Sequence, residues 1–119
     1  MIVLDVPQDQ NDAEVAFWQG ATGRQLKQLK GHPEYYGTRL PDGHMGLLVQ
    51  RLGDGPARVH LDIHASDVNA EVARLEALGA ERVKQLEFWW VMRDPAGLVF
   101  CVVQAPAGSL DDSNAHRWD

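Results

Sequence analysis

The chain carries a single cysteine, no long apolar run and no surplus of positive charge. Each scarcity removes a class of protein. Cys101 cannot close an internal disulfide, so the fold must rest on its core, and a reducing compartment, the cytoplasm, is the expected location. The apolar stretch from Ile2 to Val6 is interrupted by Asp5 and stopped by Pro7, unlike a secretory leader. No segment approaches the roughly 18 apolar residues that span a bilayer, and no membrane partner is expected. The net charge of -6 argues against nucleic acid, which needs a basic stripe to displace counterions, and against docking on anionic lipid. What remains is ordinary for one globular domain: 119 residues, 45% apolar and 24% charged, enough to bury a core.

The chain also repeats itself. With a shift of 57, Leu4-Asp5 falls on Leu61-Asp62, Ala13-Glu14-Val15-Ala16 on Ala70-Glu71-Val72-Ala73, and Lys27-Gln28-Leu29 on Lys84-Gln85-Leu86. That makes nine identities across residues 4–30, where unrelated segments share about two. A shift of 54 sets Pro41, Gly43, Val49 and Gln50 on Pro95, Gly97, Val103 and Gln104. The spacing predicts a first module over residues 1–51, a turn-rich linker over 52–57, a second module over 58–105 and a polar, mobile tail over 106–119.

Each half has the same expected layout. The first reads as strand Ile2 to Val6, helix Asp12 to Ala21, strands Gln25 to Leu29 and Tyr35 to Leu40, turn Pro41-Asp42-Gly43, and strand Gly46 to Arg51. The second opens with a strand over Val59 to Ile63. A helix follows, capped by Ser66 or Asp67, with Val68, Val72, Leu75 and Leu78 at helical spacing and Gly79 as its stop. Strands Arg82 to Leu86 and Phe88 to Arg93, the turn Asp94-Pro95-Ala96-Gly97 and an apolar strand Val99 to Gln104 complete it. The expected class is α+β: two tandem βαβββ modules forming curved mixed sheets around a cleft.

This order resembles the vicinal-oxygen-chelate superfamily, the glyoxalase/bleomycin-resistance/dioxygenase group and in particular its glyoxalase-like domain. The likeness rests on Ala16-Phe17-Trp18, Val59-His60-Leu61-Asp62, Leu75-Glu76-Ala77-Leu78-Gly79-Ala80 and Asp94-Pro95-Ala96-Gly97, and it extends to about Pro106. The first half matches less well, because Gln19-Gly20-Ala21-Thr22-Gly23 replaces an aliphatic helix end. The resemblance implies four metal-ligand positions, two on opening strands and two on closing strands. Here they read Val3, Leu47, His60 and Cys101, and two of these have no donor atom. No cofactor is therefore expected. A divalent cation is disfavoured, with His60 the one ligand to count on if a cation binds. The resemblance also implies a homodimer.

The remaining candidates come from the residues themselves. His60, Asp62 and His64 alternate along a strand and so share a face, with Leu61 and Ile63 expected against the helices. A strand rise of about 3.3 Å per residue puts His64 roughly 13 Å from His60, too far to share one ion. A carboxylate beside an imidazole makes His60 with Asp62 the catalytic acid/base pair, while the plainer reading is a hydrogen-bonded wall residue. Cys101 and His64 are further ligand-binding candidates, although a buried mid-strand thiol usually serves as a small hydrophobe and His64 also reads as the exposed end of its strand. Phe88, Trp89 and Trp90, with Tyr35 and Tyr36 in the first half, are expected to wall a pocket for a planar or apolar ligand, or else to pack the core. Trp18 reads as core. Arg93 either clamps an anionic group or is an ordinary strand-end arginine. His32 and His44 sit in Gly/Pro-flanked, loop-like surroundings and read as exposed, and Trp118 can anchor the tail on a partner subunit.

Three functions follow. One is a small-molecule protein that binds an aromatic or hydrophobic ligand in a cleft without metal. Another is a glyoxalase- or dioxygenase-type enzyme using His60 and Asp62 or a non-standard metal site. The third is a protein-interaction domain whose cleft is vestigial.

Overall fold

Ile2-Val3-Leu4-Asp5-Val6 is apolar but for Asp5 and is buried from Val3 to Val6; it forms β1 (Ile2–Pro7), with Leu4 and Val6 in the core of the first of two compact units. The structure, a computed structural model, describes residues 1–40, 45–53 and 55–118. The expected turn Pro41-Asp42-Gly43, together with His44, lies outside the described residues, as does Asp54 of the linker. The units are Met1–His60 and Leu61–Asp119.

In the first unit a 3-10 turn (Gln8–Gln10) leads from β1 into α1 (Asn11–Thr22). Gly23, at a φ of 67°, ends the helix by donating its N–H to the Gln19 carbonyl. Then come β2 (Lys27–Leu29), β3 (His32–Arg39) and β4 (Gly46–Leu52), in the sheet order β2-β3-β4-β1. β1 runs parallel to β4, and the other pairs are antiparallel. α1 lies over β1 and β4, where Val15 and Trp18 pack on Leu4, Val6, Leu47 and Val49. Trp18 is thus the core residue expected, and its indole N–H donates to Glu14. β3 begins earlier than expected and takes in His32 and Pro33, whose side chains stay exposed at the end of the strand.

The second unit holds β5 (Arg58–Ala65), α2 (Val68–Ala77), β6 (Glu81–Gln85), β7 (Trp89–Arg93) and β8 (Val99–Gln104), ordered β5-β8-β7-β6. The boundary between units falls inside β5, after His60. Asp67, rather than Ser66, caps α2, its carboxylate accepting from the Ala70 N–H. The Asp94 carboxylate shapes the β7–β8 turn by accepting from the N–H groups of Ala96 and Leu98, with Gly97 at a φ of 92°. Val72, Met92, Val102 and Ala65 form the core, with Leu75, Trp90 and Phe100 packed around it.

Two expectations need correcting. Leu61 and Ile63 share a strand face with Ala65, which does reach the α2 core, yet they remain 55% and 36% exposed. The reason is coverage: α2 packs over β6, β7 and β8, leaving the start of β5 at the margin. Leu78 lies just past the helix end and is exposed rather than buried. The tail, expected to be mobile, is described to Trp118 in local turns. The Trp118 ring sits 4.0 Å from the Arg74 guanidinium on α2. No helix among the described residues is long and apolar enough to cross a membrane.

Candidate functional site

Pleating decides which side chains meet. In β8, Phe100 and Val102 face α2, so Cys101 and Val103 face the opposite side of the sheet. Paired residues on neighbouring strands share a face. Asp62 of β5 and Val91 of β7 therefore flank Cys101, while His64 and Trp89 flank Val103. His60 precedes Asp62 by two residues on the same strand and shares its face.

The result is a polar centre on the helix-free face of β5 and β8. One ligand atom each from His60, Asp62 and Cys101 lies within 4.8 Å of the others. Cys101 is 7% exposed, and His60 and Asp62 are half-buried. Three donors held tetrahedrally at about 2.0–2.3 Å from one divalent ion lie roughly 3.3–3.8 Å apart, so this nitrogen, oxygen and sulfur set suits such an ion in donor type and would close by up to about 1 Å around it. His60 thus has two further donors beside it, where the sequence offered one dependable ligand. His64 lies further along the face and is not in the group.

His60 has another neighbour that the sequence did not suggest. Its Nδ1 lies 2.6 Å from Oδ2 of Asp5, whose side chain is only 2% exposed, and Arg58 Nε stands 3.5 Å from the same oxygen. The sequence pointed to Asp62 as the imidazole's carboxylate because it is near in the chain, whereas Asp5 is 55 residues away. The available signal was a lone acid in the otherwise apolar strand Ile2 to Val6.

The aromatic residues around β7 point to different sides of the sheet. Trp89 faces the same side as Cys101, whereas Trp90 faces α2 and packs on the core. Phe88 precedes β7 and is 63% exposed. All three line one pocket of about 210 Å³, beside Val68, Leu86 and Gln104 at the end of the sheet near the start of α2. Tyr36 packs against the first unit's core, and Tyr35 stacks on His32 with ring centroids 5.2 Å apart. Arg93 is exposed at the end of β7, paired with Val99. In the first unit, Val3 is fully buried and Leu47 faces α1, so neither position implied there presents a donor. Val49 also faces α1 whereas Val103 faces away from α2, so the 54-residue match does not preserve strand faces.

Residues 1–103 match the model of the glyoxalase-like domain. The chain belongs to that family, and with it to the vicinal-oxygen-chelate superfamily that the motifs resemble. No curated protein sequence matches this glyoxalase-like chain. Among solved structures, it is similar to an NAD-dependent benzaldehyde dehydrogenase from Legionella pneumophila, at 9% identity and a TM-score of 0.61, covering 89% of this chain and 100% of that one. It is also similar to a Mn(II)-bound glyoxalase from Novosphingobium aromaticivorans, at 20% identity and a TM-score of 0.57, covering 87% of this chain and 37% of that one. A mutant 4-hydroxymandelate synthase from Streptomyces coelicolor aligns at 11% identity and a TM-score of 0.58, covering 95% of this chain and 50% of that one. At these identities the fold is what is shared. The chain spans about a third of the glyoxalase and half of the synthase.

Proposed function

We propose that this glyoxalase-like chain binds a small molecule on the helix-free sheet face around His60, Asp62 and Cys101, and that these three residues hold a divalent cation there. The carrying observation is the 4.8 Å grouping of three different donor types at a half-buried position. Bound there, a cation would supply a positive centre that attracts and polarises an oxygen of the ligand. The chain's own residues would provide the rest. Trp89 offers an aromatic wall on the same face, and Arg93 a charge for an anionic group at its end. A Cys101 ligand would bind as the thiolate and must escape oxidation, which suits a reducing compartment.

The strand–helix–three-strand order of each unit, with the sequence match across residues 4–30, supports reading the units as copies of one module. In that reading the first copy has lost its donors and the second keeps them. The site is testable by cobalt substitution. Co(II) added to the purified chain should give a thiolate-to-metal charge-transfer band that Cys101→Ser abolishes. A Co(II) spectrum without such a band, or one that survives in the variant, sinks the proposed ligand set.

A second reading, binding without metal, is favoured by the pocket of about 210 Å³ beside Phe88, Trp89 and Trp90. A naphthalene-sulfonate fluorophore serves as the ligand. The reading expects Phe88→Ala, an exposed position, to weaken its binding severalfold while the fold is kept. Unchanged binding removes this reading.

A further inference from the structure

We propose that Asp5 is a positioning residue that holds the His60 ring with its proton on Nδ1, leaving the Nε2 lone pair for the donor group. The inference rests on the cation site proposed above and assigns a role to a side chain outside it. Asp5 is the one charged side chain among the described residues of the buried set. A carboxylate withdrawn from water costs several kcal/mol unless partnered, and an apolar residue would suit this strand better if packing were its whole task. Its closest partner is His60 Nδ1 at 2.6 Å. Arg58 is further, at 3.5 Å, and its side chain is 61% exposed, so it screens the charge without fixing a ring.

An ionised carboxylate only accepts hydrogen bonds. A neutral imidazole facing Asp5 through Nδ1 must therefore carry its proton there, which leaves Nε2 as its acceptor or ligand atom. The same bond fixes the ring plane and increases the electron density of Nε2. This is the usual service of a carboxylate behind a ligating histidine. Asp62 stands two residues along β5 as a donor in its own right, so the two acids have different tasks. Asp5 orients and Asp62 joins the centre.

The test combines long-range proton–nitrogen NMR of the histidine rings, at a pH where they are neutral, with zinc titration. His60→Gln assigns the resonance. The wild-type chain should show His60 in the Nδ1-protonated form, and Asp5→Asn should bind zinc about 10- to 100-fold more weakly. An Nε2-protonated His60 in the wild type overturns the proposal, as does unchanged zinc affinity in Asp5→Asn. If the wild-type chain binds no zinc, the cation site fails, but the tautomer still decides the role of Asp5. Should Asp5→Asn not fold, the wild-type spectrum decides alone.

Discussion

Individual side chains in this protein divide sharply by cost. Met92 is fully buried, as are Val72 and Val102, and all three belong to the α2 core. Met92→Ala should therefore destabilise the chain by about 2–5 kcal/mol, since it loses transfer energy and leaves a cavity. Urea unfolding followed by circular dichroism measures this. Phe17→Ala, at a position 63% exposed, should change stability by less than about 0.5 kcal/mol in the same experiment. A Met92→Ala loss no larger than that of Phe17→Ala would show that the α2 core is misplaced. At this scale the sequence revealed the alternation of His60, Asp62 and His64 and the core role of Trp18. It did not reveal Asp5 as the partner of His60, because hydrogen bonding between distant strands is fixed by register, which no local pattern encodes. Nor did it show Cys101 beside Asp62, a neighbour relation set by parallel pairing of β5 with β8.

Among the elements, α2 depends on its cap. Its Asp67 carboxylate satisfies one of the N–H groups that a helix start leaves open, and Glu71 and Arg74 pair on its surface, which raises the Arg74 pKa through their hydrogen bond. Asp67→Ala should cost about 0.5–2 kcal/mol, measured as a lower urea midpoint with unchanged slope. Helix α1 has no side-chain cap bond at Gln10 and is entered through a 3-10 turn instead. That turn carried no sequence signal. Helix α2 was legible because its cap, its apolar spacing and Gly79 agree. The strand faces were harder. Leu61 and Ile63 read as buried by alternation, but alternation names a face and does not say whether a helix reaches it. In the tail, the Ser113 hydroxyl and N–H donate to Asp111 and hold its carboxyl below the usual range. The turn's stabilisation by these bonds is present above the ordinary carboxylate pKa and is lost as pH falls through the depressed value. Ser113→Ala should move the Asp111 titration, followed by carboxyl carbon NMR, up toward the ordinary value.

For the whole molecule, the family and the α+β character were open to sequence reading because they depend on order and spacing over many residues. Such signals survive the loss of single ligands. The site was less open, since it depends on which three side chains converge, and that is set by the pairing of β5 with β8. A net charge of -6 favours cations near the protein without selecting a position for one. Selection belongs to His60, Asp62 and Cys101. Native mass spectrometry of the chain supplied with zinc, manganese or nickel tests this most directly, and the same spectrum reports whether two copies associate. The account predicts one ion per chain with at least one of these metals, lost in His60→Ala and in Cys101→Ser. A wild-type chain that takes up none of them, or variants that keep the full complement, would contradict it.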